Sequence, residues 1–490
     1  MLIRNVELAP GERIDVRIDG ARIAELAPQL AWHAQERVFE GGGAALLPGL
    51  HDHHIHLRAL AAAFASVHCG PPQVTDAAAL AAVLRAASIR LAPGQWLRGI
   101  GFCESVLGAA GIDAIDRDWL DELVADRPLR IQHRSGRLWL LNSAALDALA
   151  PTADAPLERR NGRWTGRLYD ADDWLRMRLR GAPPSLHAVS RWLARRGVTG
   201  VTDTTHHNGP EALHAFAAAR ASGELLQQVR VMGDARLDAQ TDRPGAQRGE
   251  HKFHLHAHAL PEFDALVAAI RASHDAGRAA AFHCVTRTEL AFALAALREA
   301  GVLPGDRIEH ASVAPPELVE VIAALGLTVV TQPHFIAERG DDYRRDVDAA
   351  DQPWLYRLRG FLATGVGLAG STDAPFGSAD PWAAMQAAID RRTPSGAVLG
   401  AAEALTPAQA LDLFLAPLEA PGGAPRRVAV GEPADLCLLD RPLAAALRAP
   451  TQVEVRLTLV AGQVVYTRED ADVPDYPRGS SGMPESQGCA

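Results

Sequence analysis

The sequence predicts an α/β protein built on a (β/α)8 TIM-type barrel, with a small β domain made from both ends of the chain and a large insertion after the first barrel strand. Three patterns lead there. From about residue 192 onward, short β-type runs alternate with helical stretches at a spacing of roughly 20 to 40 residues, which means a parallel sheet. The two ends of the chain are instead rich in alternating strands. Residues 60–190 interrupt the beat between strands one and two, where a single βα connection would be far shorter. Counting the apolar run before His54, the strands number eight, and eight βα units favour a closed barrel over an open sheet.

Taken in order, residues 2–8 read as a strand stopped by Pro10-Gly11, and residues 13–20 alternate at period two before Asp19-Gly20 turns the chain into 21–26. Residues 434–440, 453–460 and 463–467, the last two joined by Ala461-Gly462, repeat this character. Residues 1–46 and 427–470 are therefore assigned to one β domain and 47–426 to the barrel, with 471–490 as a turn-rich, loose tail. The first barrel strand is read from the apolar run 44–47 onward and ends in His54-x-His56, and the others lie at 198–202, 229–232, 252–256, 279–284, 307–310, 327–331 and 366–371. Helical patterns lie between several of them, and Gly277, Gly301, Gly326 and Gly365 fall where helices would end. The insertion carries strand-like pieces at 96–102 and 129–134 and helical pieces at 74–91 and 142–149. Leaving from a strand's carboxyl end, it is expected to cover the barrel mouth and select the substrate.

Composition bounds the function. A chain of 490 residues with 48% apolar residues supports a substantial core. A formal charge of −10 and a pI near 6.0 argue against a nucleic-acid partner, which wants a basic face. Cys69, Cys103, Cys284, Cys437 and Cys489 are odd in number, scattered and without CxxC spacing, which fits a reducing compartment rather than a disulfide framework. The start shows no charged-then-apolar leader, and the most apolar stretch, 60–67, is far short of a membrane span. These features read as a cytoplasmic protein with neither membrane nor nucleic acid as partner.

Chemistry gathers at the strand ends. His54 and His56 stand two apart, so in extended chain both imidazoles face one spot, and neutral imidazole is a common zinc ligand. Lys252 lies on strand four, His283 ends strand five, His310 ends strand six, and Gly370-Ser-Thr-Asp373 closes strand eight. Any one of these reads as a packed or hydrogen-bonded side chain. Together, in step with one architecture, they converge on the barrel end where chemistry sits and point to a divalent-metal site.

The ordered motifs resemble the amidohydrolase superfamily, in the amidohydrolase 3 branch that includes N-substituted formamide deformylases and YtcJ-like metal-dependent hydrolases. They are Pro48-Gly-Leu-His-Asp-His-His-Ile-His56, His283, Ile308-Glu-His310 and Gly370-Ser-Thr-Asp-Ala-Pro375, with Trp96-Leu-Arg-Gly-Ile-Gly101 and Asn142-Ser-Ala-Ala-Leu146 in the insertion. Leu405 to Leu411 and Gly431 to Asp440 match as well. The resemblance implies a distorted barrel with a composite β-sandwich. It also implies His54, His56 and Asp373 on one metal, His283 and His310 on a second, and Lys252 carboxylated so that its carbamate bridges the two. A departure follows Lys252. The branch usually continues with Asp-Gly, whereas this chain reads Phe253-His-Leu-His-Ala-His258. Lys252, His254, His256 and His258 share one face at period two, so a histidine could complete the site instead, and a single-metal site is equally open.

Asp373 is the expected catalytic proton carrier beside one or two Zn2+ ions. His334 after strand seven, His256, and Arg134 in the insertion are candidates for substrate contact. His206 and His207 fall on the rim, and Cys103 and Cys284 read as packing residues. The expected reaction is cleavage of a non-peptide C–N bond, amide or formamide in type, in a small molecule. A deaminase or a lactone or ester hydrolase of the same superfamily is the alternative, and a metal-free scaffold is the rival from another class. Deaminases of the superfamily often carry a Glu three residues after the strand-five His, where this chain has Thr286. Association as a homodimer is expected by analogy alone.

Overall fold

The computed structural model describes residues 1–469 except 72, 111–113 and 180–182, so the tail expected at 471–490 lies outside the described residues. The barrel strands are β1 (Leu50–Ile55), β2 (Val198–Asp203), β3 (Gln228–Gly233), β4 (Ala246–His254), β5 (Ala280–Cys284), β6 (Arg307–His310), β7 (Thr328–Thr331) and β8 (Gly367–Gly370). They follow one another in space as in sequence, all parallel. Short apolar strands buried along their length need helices on the outside, and Phe263–Asp275, Arg287–Ala300 and Pro316–Ala324 supply three of them. Each turns apolar positions inward, as Leu290, Ala293, Leu294 and Leu297 do in the second. The four glycines expected at helix ends all stand just past one, with φ between +65° and +86°.

Strand one differs from the reading at 44–47. The apolar run continues to Pro48, but as an antiparallel partner of Leu436–Leu439 in the terminal β domain. The first barrel strand begins only after Gly49 and itself carries His51, Asp52, His53 and His54. Gly49 is where the chain passes from one sheet to the other. A Cβ there would stand 2.1 Å from Thr199 Cγ2, so only glycine allows β1 to start this close to β2.

The terminal domain is a composite sandwich. One four-stranded sheet takes Leu2–Val6, Ile14–Asp19, Arg22–Ala27 and Val38–Glu40, and the other takes Leu46–Pro48, Leu436–Leu439, Val455–Val460 and Gln463–Thr467. Alternation sends Ile3, Val16, Ile18, Leu436, Leu438, Leu457 and Leu459 into one shared core. Hairpin turns at Gly20 and Gly462 abut, and a Cβ on Gly462 would lie 1.9 Å from Gly20 O.

Residues 58–185 form a compact unit of their own, between β1 and β2 in sequence. Its six-stranded sheet runs, edge to edge, Leu157–Arg160, Arg163–Tyr169, Leu138–Leu141, Leu129–His133, Leu97–Phe102 and Val67–His68. The Asn142 motif has a structural explanation here. Its Oδ1 accepts from Leu129 N and Ala145 N, and its Nδ2 donates to Val124 O and Arg127 O, so one buried side chain caps the helix Ser143–Leu149 and pins two loops. No helix among the described residues is long and apolar enough to cross a membrane.

Candidate metal centre

Closure of the barrel builds the site. Just past the strand ends, Asp373 N–H donates to His54 O at 2.7 Å and His56 N–H donates to Ala374 O at 2.9 Å. The two segments that carry candidate ligands are thus zipped together by their own backbone. A second clamp comes from Asp52, whose buried carboxylate accepts from Thr372 N at 3.0 Å and from the Thr372 hydroxyl. Burial pushes the Asp52 carboxyl up to about 6, against the pull of its Thr372 hydrogen bonds. Asp373 itself has φ +51°, an uncommon conformation outside glycine that turns its side chain back over β1.

The result is a cluster of His54, His56 and Asp373 whose ligand atoms all lie within 4.8 Å of one another. Nε2 of His54 and Nε2 of His56 each stand 3.3 Å from Asp373 Oδ1. Both imidazoles are held from behind. His54 Nδ1 donates to Glu309 Oε2 at 2.6 Å, and His56 Nδ1 lies 3.0 Å from Thr205 Oγ1. With Nδ1–H of His54 committed to Glu309, its Nε2 carries a lone pair aimed at the aspartate. Both Asp373 oxygens are buried and accept no hydrogen bond among the described residues. Electron-pair donors brought this close with no hydrogen bond between them are a costly arrangement that a cation resolves, so the residues present fit a divalent metal.

Of the other expected residues, His283 and His310 stand at the ends of neighbouring barrel strands. His310, at φ +67°, stands with its ring 4.8 Å from that of His54 and 4.6 Å from that of His283. His310 Nδ1 lies 2.8 Å from Gln332 Oε1, and Gln332 Nε2 donates to Ser371 Oγ. Burial, reinforced by His310, keeps His283 well below the ordinary imidazole value, so its ring is neutral. Lys252 is buried on β4 with Nζ 4.0 Å from Glu309 Oε1. His334 is buried rather than open at the mouth, with Nε2 3.0 Å from Thr372 O, where it buttresses the loop that carries Asp373. His256 is half-buried in the loop after β4. Arg134 is exposed in the 58–185 unit, and its neighbour Arg137 pairs with Asp170 at 2.7 Å. His206 and His207 are exposed beyond β2, and Cys103 and Cys284 are buried.

Glu309 carries a role that the sequence reading did not give it, although it stands inside the motif Ile308-Glu-His310. It is fully buried and bonded at once to His54 and to Arg307 Nε, the latter at 2.6 Å. Burial would raise its carboxyl, but Arg307, Lys252 and His54 hold it well below the usual range. The available signal was Arg307-x-Glu309, two opposite charges on the same inward face of a strand that ends in a candidate ligand. Glu309→Gln is expected to loosen metal binding by about 10- to 100-fold, because the amide is a weaker partner for His54 Nδ1–H and no longer strengthens the imidazole as a donor. Competition against a chromophoric chelator measures it, and an unchanged affinity would remove Glu309 from this role.

Thr286, the position at which a deaminase-type Glu was considered, caps the helix Arg287–Ala300. Its hydroxyl accepts from Glu289 N while Glu289 returns a bond to Thr286 N.

Known proteins resemble this chain. The model of the amidohydrolase family matches residues 37–466. The N-substituted formamide deformylase of Arthrobacter pascens is 26% identical over 92% of this chain and 95% of its own length. YtcJ of Bacillus subtilis (strain 168) is 25% identical, over 87% and 90% of the two chains. Among solved structures, an uncharacterized metal-dependent hydrolase from Pyrococcus horikoshii OT3 superposes with a TM-score of 0.75 at 19% identity, covering 92% of this chain and 99% of that one, which attests the fold. A family match that spans both the barrel and most of the composite sandwich settles the assignment: the chain belongs to the amidohydrolase family and is a hydrolase.

Proposed function

We propose that the protein hydrolyses a non-peptide C–N bond, amide or formamide in type, in a small molecule, with Zn2+ at His54, His56 and Asp373. The observation that carries this reading is the Asp373 carboxylate, buried without a hydrogen bond and facing two imidazole nitrogens at 3.3 Å. A divalent ion bound there supplies water acidified from a pKa of 15.7 to about 7 and polarises the substrate carbonyl. Asp373 accepts a proton from the attacking water at a carboxylate oxygen and returns it to the leaving nitrogen, so an amide and water become a carboxylic acid and an amine. Glu309 and Thr205 keep His54 and His56 in place meanwhile. A second ion falls to His283 and His310. The carbamate bridge that the family resemblance suggests would draw on Lys252, whose 4.0 Å approach to Glu309 is the spacing of an ion-paired ammonium.

The similarity to a formamide deformylase supports amide chemistry, and so does Thr286, which is spent on a helix cap in place of a deaminase-type acid. The test is an assay of free amine released from a panel of N-formyl and N-acyl amines, run beside ring C=N compounds and lactones. Amine and acid formed in equal amounts from the first panel are expected. Turnover confined to the ring compounds or lactones would contradict the reading.

A further inference from the structure

The six-stranded sheet of residues 58–185 carries a charge that its fold leaves unanswered. One face packs Leu97, Leu129, Ile131, Leu138 and Leu140 into a core. Alternation puts Arg98, Arg130, Gln132 and Trp139 on the other face. Arg98 and Arg130 are register partners on neighbouring parallel strands, so their side chains leave the sheet side by side. Both guanidinium groups stand over the Trp139 ring, each with Cζ 5.4 Å from its centroid, and Arg130 Cζ is 5.8 Å from that of Trp96.

The two arginines differ in their partners. Arg98 Nη1 donates to Ser66 Oγ at 2.7 Å and Nη2 to Gln132 Oε1 at 3.1 Å. Arg130 is half-buried, its Nε is fully buried with no acceptor, and no carboxylate pairs with it among the described residues. The strands Leu97–Phe102, Leu129–His133 and Leu138–Leu141 contain neither Asp nor Glu. Burial with no counter-charge pulls the Arg130 guanidinium down to about 10. A partly desolvated cation beside a second cation, with a donor unmet, is a costly arrangement that an anion resolves.

The unmet donors define the ligand. A guanidinium presents parallel N–H bonds in one plane, which match the two oxygens of a carboxylate. With Arg98 drawn to Ser66 and Gln132, one such fork is left to fill, which suits a carboxylate better than a phosphate dianion. Trp96 is half-buried, so part of its ring is left for an apolar body to pack against. We propose that Arg130, with Arg98 beside it and Trp96 as an apolar wall, binds the carboxylate of a small organic acid. The site is built from the 58–185 unit alone and does not depend on the hydrolase reading.

Isothermal titration calorimetry of the full-length protein with benzoate, and with benzamide as its uncharged counterpart, tests the proposal. Wild type is expected to bind benzoate at least tenfold more tightly than benzamide. Arg130→Gln should weaken benzoate by tenfold or more, as loss of a charged hydrogen-bond partner does, and leave benzamide unchanged. Arg130→Lys keeps the charge without the planar fork and should fall between the two, and it decides the matter if the glutamine variant fails to fold by circular dichroism. His56→Ala, at the candidate metal centre, should bind benzoate as wild type does. Equal affinity of wild type for the two probes, or undiminished benzoate binding in Arg130→Gln or Arg130→Lys, would overturn the proposal. Benzoate binding lost in His56→Ala would place the carboxylate on a metal ion and overturn it as well.

Discussion

Asp373→Asn is expected to lower kcat about 10³-fold, within the range that a positioned acid–base group contributes, with the stability of the metal-free fold little changed. The substitution is nearly isosteric. It removes the negative charge that faces His54 and His56 and the oxygen that takes the water's proton. The loop geometry does not depend on that charge, because its anchors are the Asp373 N–H to His54 O, the Phe376 N–H to Asp373 O, and the Thr372 bonds to Asp52. Asparagine also tolerates the left-handed backbone at φ +51°. Steady-state kinetics on the purified variant, with circular dichroism to check the fold, decide the matter. A kcat within threefold of wild type would remove Asp373 from the chemistry.

Metal removal is expected to have the other large effect. Exhaustive dialysis against a strong chelator should abolish hydrolysis, and added Zn2+ should restore it. Stability should fall as well, because an ion bound only by the folded state at about 1,000 times its dissociation constant contributes about 4 kcal/mol. The stripped protein keeps a buried carboxylate and two imidazole lone pairs in mutual contact, which adds to the loss. Paired activity and thermal-melting curves before and after zinc return measure both effects. Activity that survives in protein free of metal by elemental analysis would contradict the account.

Much of the fold was legible because it rests on local patterns. Period-two runs with glycine turns marked the sandwich, and the beat of strand, helix and glycine marked the barrel. The start of the first barrel strand was misplaced because residues 44–47 are apolar and bounded by Pro-Gly, which looks the same whether the strand enters a barrel or a sandwich. What separates the two is the close pass of Gly49 against Thr199, a contact between residues 150 positions apart. The candidate ligands were legible for a related reason, since each ends a strand and strand ends converge. The groups that hold them were not. Glu309 and Asp52 act across the barrel on His54 and on Thr372, and no spacing within one strand reveals such a partner. His334 likewise reads as a rim residue until the helix His334–Asp346 is seen to begin beneath the Thr372 carbonyl.

The central claim is that a metal ion sits between His54, His56 and Asp373, and anomalous diffraction tests it most directly. Crystals of protein purified without chelator, measured on either side of the zinc absorption edge, are expected to show an anomalous peak about 2 Å from His54 Nε2, His56 Nε2 and an Asp373 oxygen. An empty map at that position, in crystals of enzyme that hydrolyses its substrate, would contradict the account.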